Sequence, residues 1–312
     1  MVADKPRILV VGSINMDLVV RSPHMPAPGE TVLGEGFVTS PGGKGANQAV
    51  AAARLGASCR MLGRIGADAF GQTLLASLRK EGIDCAAVQP TPEAATGVAM
   101  IVVDSKGENS IVVASGANYL MTPDDVVACA DAFARADVVV LQLELPLPTV
   151  AAAVELARRN GCLVVLDPAP APAQMPSALC EVDVITPNVG EAERITGSRT
   201  GEQRADKNIA LDLIARGAKA AVLKLGSRGS MVVTADGHMS RVGAYDVDIV
   251  DTTAAGDAFT AALAVAVATG RSLREAAKFA NAAGALACTR LGAQSAMPTA
   301  AEVGMLMEDQ PI

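Results

Sequence analysis

Short, continuous apolar runs recur along the chain, and most are followed by a longer stretch rich in Ala and Leu. Runs over residues 7–12, 59–64, 137–144, 162–166, 182–186 and 220–225 read as strands buried on both faces, the pattern of a parallel sheet. Two further strands, 229–234 and 238–243, come after them. Helices are predicted over 45–55, 69–81, 123–135, 147–159, 190–196, 204–216, 254–269, 273–289 and 299–307. Gly56 and Gly82 stop two of them, and Thr122 with Pro123 opens a third. Repeated strand–helix units imply a mainly parallel sheet with helices on both faces. Segments 17–21 and 31–39, split by a Pro/Gly turn at 23–29, do not fit that sheet, nor does a hairpin of 97–103 with 109–114. We assign these to a small β lid over about 16–40 and 96–115, within one α/β unit spanning 1–312.

Composition sharpens this picture. Half of the 312 residues are apolar, yet Trp is absent and aromatics make up 2%, so the core must be Ala, Val and Leu. Net charge is −7 with no Lys/Arg block, which argues against nucleic acid and anionic membrane as partners. A phosphate ligand would then be held by local geometry. Six widely spaced cysteines with no C-x-x-C motif read as reduced thiols. Two histidines give a zinc site or a Ser-His-Asp triad little to build from. The N-terminus runs into a strand without a secretory apolar region, and the apolar helix near 258–268 is too short to span a bilayer. A cytoplasmic protein is expected.

The chemistry concentrates at 249–260, I-V-D-T-T-A-A-G-D-A-F-T. Ala254, Ala255 and Gly256 open an apolar helix, and nothing larger than a methyl group surrounds its unpaired N–H donors. Such a helix start is open to an anion. Asp257, in the first turn, either complements the helix dipole or serves as a base beside a phosphate nest. The stretch alone leaves both readings open.

Ligands of an open α/β sheet sit beyond the carboxyl ends of its strands. At those strand ends here stand Asn15 and Asp17, then Glu144, Asp167, Asn188 and 225–227. Asn15, Asp17, Lys44 and Asn47 are the amide, carboxylate and cationic groups that a polyol needs, and Glu144 would clamp a further hydroxyl. Gly42, Gly43 and Gly45 would admit close approach of a sugar, or simply form a turn before a helix. Two look-alikes fail: Val38 stands where a Walker A loop needs glycine, and G-K-G-A-N-Q misses the last glycine of a dinucleotide fingerprint. The spacing of Asn188 and Glu191 fits an N-cap with a capping-box partner three residues on.

The stretch D-T-T-A-A-G-D-A-F at 251–259 resembles the second signature of the ribokinase/PfkB-type carbohydrate kinase family, and P-G-G-K-G-A-N-Q-A at 41–49 resembles the first. The likeness runs from about 8 to 298 and is nearest to the ribose-phosphorylating members, through 12–17, 28–32 and 292–294. It implies a ribokinase-like three-layer α/β/α fold whose β lid often doubles as a homodimer interface. It implies an ATP-dependent sugar kinase acting on the 5-hydroxyl of D-ribose, with Asp257 as base and Ala254, Ala255 and Gly256 supplying the anion hole. Asn15, Asp17, Gly43, Lys44, Asn47 and Glu144 match the family's sugar positions. Asn188, Lys224, Gly226, Ser227, Gly229 and Asn281 match its nucleotide positions, and Glu191 its water-mediated Mg²⁺ site. Asp251, Thr253, Ala287, Arg290 and Gly292 match its K⁺ positions, although Ala296 replaces a hydroxyl ligand common there. The alternatives are a same-fold kinase for another sugar or a nucleoside, and a silent sugar- or nucleotide-binding regulator.

Overall fold

The computed structural model describes residues 5–198 and 203–312, the side chains of 203–205 excepted. The chain opens with β1 (Arg7–Val11), β2 (Asn15–Arg21) and β3 (Gly36–Gly42), then α1 (Lys44–Arg54), β4 (Ser58–Gly66), α2 (Ala69–Lys80) and β5 (Asp84–Thr91). The hairpin β6 (Gly97–Val103) and β7 (Asn109–Ala114) precedes α3 (Pro123–Ala128), α4 (Ala130–Ala134) and β8 (Val138–Leu141). Next come α5 (Leu147–Arg159), β9 (Leu163–Leu166), β10 (Val184–Ile185), α6 (Val189–Thr196) and α7 (Gln203–Ala215). The run β11 (Ala220–Lys224), β12 (Ser230–Thr234) and β13 (Met239–Val242) leads to α8 (Ala255–Ala268), α9 (Leu273–Ala287) and α10 (Ala300–Asp309).

The large sheet has nine strands in the order β13-β12-β11-β10-β9-β8-β1-β4-β5. Its pairings are parallel except those of β12 with β11 and β13. Alternation along β1 shows why both faces must be covered. Ile8 and Val10 join the apolar layer under α1, α8 and α9, while Leu9 and Val11 join the opposite layer under α5 and α7. Small side chains set the spacing: Ala258, Ala261 and Ala262 of α8 are buried with Ala276, Ala280 and Ala283 of α9 and Ala46 and Ala49 of α1. The large sheet is thus the expected core of Ala, Val and Leu.

The four-stranded second sheet runs β3-β2-β6-β7, with β2 parallel to β6 and antiparallel to β3. It leaves the large sheet at the carboxyl end of β1. From β1 the strand order proceeds through β4 and β5 one way and through β8 to β11 the other, so β1 and β8 flank the topological switch point.

Four expectations need correction. The strand expected at 31–39 lies at Gly36–Gly42, because 31–34 form no ladder and the pairing of β2 with β3 continues to Gly42. The helix expected over 123–135 divides at Cys129, whose φ of −103° and ψ of 21° break it. The strand β5 has no counterpart among the expected elements, since in D-C-A-A-V-Q-P-T the apolar run C-A-A-V is short, has one β-branched residue and is followed by Pro90; it is the sheet's edge, where a missing N–H is tolerated. The strand expected over 182–186 shortens to two residues, Val184–Ile185.

Candidate active site

Asn15 and Asp17 are two residues apart on β2 and share one face of the small sheet. Both are buried. Asp17 lies directly over Gly42, where an added Cβ would come within 2.2 Å of the carboxylate. Gly43 comes next at φ 88° and caps α1, a conformation that any other residue would strain. The turn reading of these glycines is therefore realised, and a side chain at Gly42 would crowd Asp17. Glu144, just beyond β8, gathers the pocket: its Oε2 accepts from Ser13 Oγ at 2.5 Å, from the Lys44 N–H at 3.3 Å and from Asn15 Nδ2 at 3.5 Å. Asn118 is a member that sequence reading missed. Its Nδ2 donates to Asn15 Oδ1 at 2.7 Å and its Oδ1 accepts from the Ile14 N–H at 2.9 Å. No motif marks it; only the return of the chain after β7 brings it beside β2.

Two charges there are perturbed. Burial, reinforced by Glu144 and Asp257, raises Asp17 to a pKa of about 7. Lys44 is pulled the other way from its usual burial effect. Desolvation disfavours its ammonium, but the carboxylates of Asp257, Asp167, Glu144 and Glu191 outweigh it and hold the proton more tightly than in water.

The helix α8 starts as expected, with a stranger backbone than its sequence suggests. Ala254 takes φ 59° and ψ 9°, the one non-glycine residue with positive φ among the described residues, and no side chain caps the helix. The Ala255 N–H, expected to serve the anion hole, turns back instead to the Thr252 carbonyl at 3.3 Å, which leaves Gly256 and Asp257 to present the first free donors. Asp257 is buried, and its Oδ2 accepts from Asn47 Nδ2 at 2.9 Å while its Oδ1 accepts from Gln48 Nε2 at 3.1 Å. Burial raises its pKa; Lys44 opposes this, Asp167 adds to it, and the two amides oppose it. Its carboxyl is thus a stronger proton acceptor than an exposed one.

Beside this helix start opens a cleft of about 470 Å³ whose walls include Lys44, Asp167, Asn188, Glu191, Lys224, Gly226, Ser227, Gly229, Gly256, Asp257 and Asn281. The structure therefore brings together the predicted nucleotide residues. Lys224 Nζ pairs with the buried Asp167 at 2.8 Å. Asn188 and Glu191 form the capping box in both directions, at 2.7 and 2.9 Å, and still line the cleft. Burial raises the Glu191 pKa; Lys224 opposes this and Asp167 adds to it. Asn281 is held by its Nδ2 donating to the Gly243 carbonyl at 2.7 Å. Residues Gly226–Arg228 form a tight turn between β11 and β12.

The loops carrying Asp251, Thr253, Ala287, Arg290 and Gly292 also meet. Asp251 accepts from the N–H and hydroxyl of Thr253 at 2.9 and 2.6 Å and from the Gly292 N–H at 2.9 Å. The Cys288 carbonyl accepts from the N–H groups of Val250 and Asp251. Ala287 is buried above this junction, and Arg290 is turned outward into an ion pair with Glu302. Ala296 is fully buried, and Ser295 spends its hydroxyl on the Leu291 carbonyl at 2.8 Å.

The matches to known proteins fall on this architecture. The family model described as "pfkB family carbohydrate kinase" covers residues 5–300. Ribokinase of Haemophilus influenzae is 39% identical over 301 residues, covering 96% of this chain and 98% of that protein. Deoxyribokinase of Salmonella typhi is 35% identical over 293 residues, covering 94% and 95%. The solved structure of Arabidopsis thaliana ribokinase complexed with ribose and ATP superposes with a TM-score of 0.90 at 32% identity, covering 98% of this chain and 99% of that one. With the helix-start signature, the glycine turn before α1 and the two-sheet architecture all in place, this chain belongs to the pfkB family of carbohydrate kinases.

Proposed function

We propose that this kinase transfers the γ-phosphoryl group of ATP to the 5-hydroxyl of D-ribose, giving D-ribose 5-phosphate and ADP. The observation that carries the reading is the position of Asp257. Its buried carboxylate belongs at once to the polar pocket of Asn15, Asp17, Lys44, Asn47 and Glu144 and to the wall of the 470 Å³ cleft. A sugar hydroxyl held in the pocket would meet a phosphate arriving along the cleft at this one carboxylate. Similarity to ribokinases, one of them solved with ribose and ATP, supports the substrate pair.

In this reading Asp257 takes the hydroxyl proton, as its raised proton affinity favours. The N–H groups at the start of α8 stabilise charge spreading over the transferred phosphoryl oxygens. Asn47 Oδ1, buried with no partner among the described residues, is the acceptor left for a sugar hydroxyl. Lys224, Gly226, Ser227, Gly229 and Asn281 line the nucleotide side. The donor set suits Mg²⁺, since Glu191 uses only Oε2 in its capping box and a single hard oxygen with waters suffices. When bound, Mg²⁺ supplies charge neutralisation on the ATP phosphates. The joined loops at 250–253 and 287–292 fit K⁺ held by backbone carbonyls, with the Asp251 bonds fixing the carbonyls' directions. The small sheet would close over the sugar and exclude water.

The small sheet also leaves Phe37, Val38, Met100, Ile111, Val112 and Val113 exposed. Side chains alternate in direction along these strands, so apolar groups lie bare on both faces, which suits a homodimer formed through the lid. All six cysteines are unpaired, which suits the cytoplasm.

The test is a coupled ADP-release assay across D-ribose, 2-deoxy-D-ribose, D-fructose and adenosine, with the product located by ³¹P NMR. We expect kcat/KM highest for D-ribose and a phosphate ester on its 5-carbon. A preference for 2-deoxy-D-ribose would instead favour the second reading, raised by the 35% identity to deoxyribokinase. ADP release independent of any acceptor would sink both.

A further inference from the structure

Gln48 comes directly after the sugar-site residue Asn47 on α1 but does not line the cleft, and it is completely buried. Its single amide nitrogen lies 3.1 Å from Asp257 Oδ1 and 3.1 Å from Asp167 Oδ2, one hydrogen for each carboxylate. Its carbonyl accepts from Gln142 Nε2 at 2.5 Å. Gln142, also fully buried, is wedged against Gly12, where an added Cβ would fall 2.0 Å from Gln142 Oε1. The remaining oxygens of the two carboxylates are taken by Asn47 and Lys224, at 2.9 and 2.8 Å. An unbroken chain therefore runs Lys224–Asp167–Gln48–Asp257–Asn47, from the phosphate cleft to the sugar pocket.

Two carboxylates this deep would repel each other unless something between them donated to both. An amide fixed by an acceptor-seeking neighbour does so in only one orientation. If the Gln48 amide were reversed, its oxygen would face both carboxylates and its nitrogen would face the Gln142 donor. We infer that Gln48, oriented by the two carboxylates its nitrogen serves and by the Gln142 amide on its carbonyl, is the positioning residue that aims the Asp257 carboxylate and separates it from Asp167. The inference rests on Asp257 being the base.

Losing this bond would both loosen the aim of the base and remove a donor that favours its ionised form. The groups facing Asp257 that would still act on it are Lys44 and Asn47 of α1, Asp17 of β2 and Asp167 beyond β9. Removing a donor to a carboxylate raises its proton affinity, so the acid limb of the kcat profile should move to higher pH.

The experiment compares wild type with Gln48→Met, Gln142→Leu and Asp257→Asn, measuring kcat and KM for both substrates from pH 5 to 9. Gln48→Met should lower kcat about 10- to 100-fold, the worth of a hydrogen bond to a charged group, with both KM values within about threefold of wild type. Its acid limb should move upward. Gln142→Leu, which keeps Gln48 but removes the donor that orients it, should show a smaller change of the same kind. It carries the test if Gln48→Met does not fold. A kcat within twofold of wild type in the folded variants, or a loss shared equally by kcat and both KM values with an unmoved limb, would overturn the inference. An active Asp257→Asn would instead overturn the base reading, and the inference with it; that failure is recognised by the Asp257 variant alone.

Discussion

A single buried carboxyl in the pocket weighs on stability. Asp17 is raised to about 7 by burial first, then by Glu144 and Asp257, whereas an unfolded Asp titrates near 3.8. Between those values the folded chain binds a proton that the unfolded chain has released, so this group's contribution to stability falls as pH rises from about 4 to about 7. Asp17→Asn should therefore raise the melting temperature of the ligand-free protein at pH 8, by an amount corresponding to about 1–3 kcal/mol. The gain should shrink towards pH 5, where the wild-type carboxyl is already neutral. The same variant should raise the sugar KM strongly and leave ATP affinity nearly unchanged, because Asp17 lies on β2 and not on the nucleotide cleft. Thermal melts at both pH values with titration calorimetry check both halves. Asp257→Asn should lower kcat by about 10²–10⁴ while sugar binding persists, since an amide keeps the shape but takes no proton.

At the scale of elements, the helix α8 begins from a strained residue. Ala254 at φ 59° occupies a conformation that costs an alanine about 1 kcal/mol or more. Ala254→Gly should relieve most of this and raise the melting temperature by about 1–3 °C, the glycine's own entropy offsetting part of the gain. Equal or lower stability would mean that the loop before α8 holds no such strain. That loop is tied by Asp251 to the segment after α9, so a cation bound there would steady the amides at the helix start. Initial rates against KCl, balanced with tetramethylammonium chloride at constant ionic strength, should rise with K⁺ and less with Na⁺. Ser295 spends its hydroxyl hydrogen on the Leu291 carbonyl, and Ala296 brings no hydroxyl of its own. Ala296→Ser should therefore reach half-maximal rate at lower K⁺, and a flat response in both proteins would remove the cation site.

At the scale of the whole molecule, the bare small sheet is the feature most in need of a partner. Replacing Val38 and Ile111 together by Glu places two carboxylates on its exposed positions, and light scattering should then report a lower mass than for wild type. An unchanged mass would dissociate the sheet from assembly. Much of the architecture was legible beforehand. The runs at β1, β8 and β9 are apolar at nearly every position because both faces of that sheet are covered, and hairpin β6–β7 lies at the predicted bounds. The residues proposed here for sugar and nucleotide stand out in the sequence as motif positions and as polar groups after strands, and the helix start as small residues before an acidic one. The sequence by itself determined these because they depend on local pattern: apolar period, turn chemistry and the order of strands. Only the tertiary structure decided which distant groups meet. Gln48 reaches Asp167 and Asp257 across 119 and 209 positions, and Asn118 reaches Asn15 across 103. An amide in the middle of an Ala-rich helix has no local mark of the carboxylates it will face. Those partners are set by α1 packing on α8 at the switch point of the sheet, where buried polar groups must satisfy one another because water is excluded.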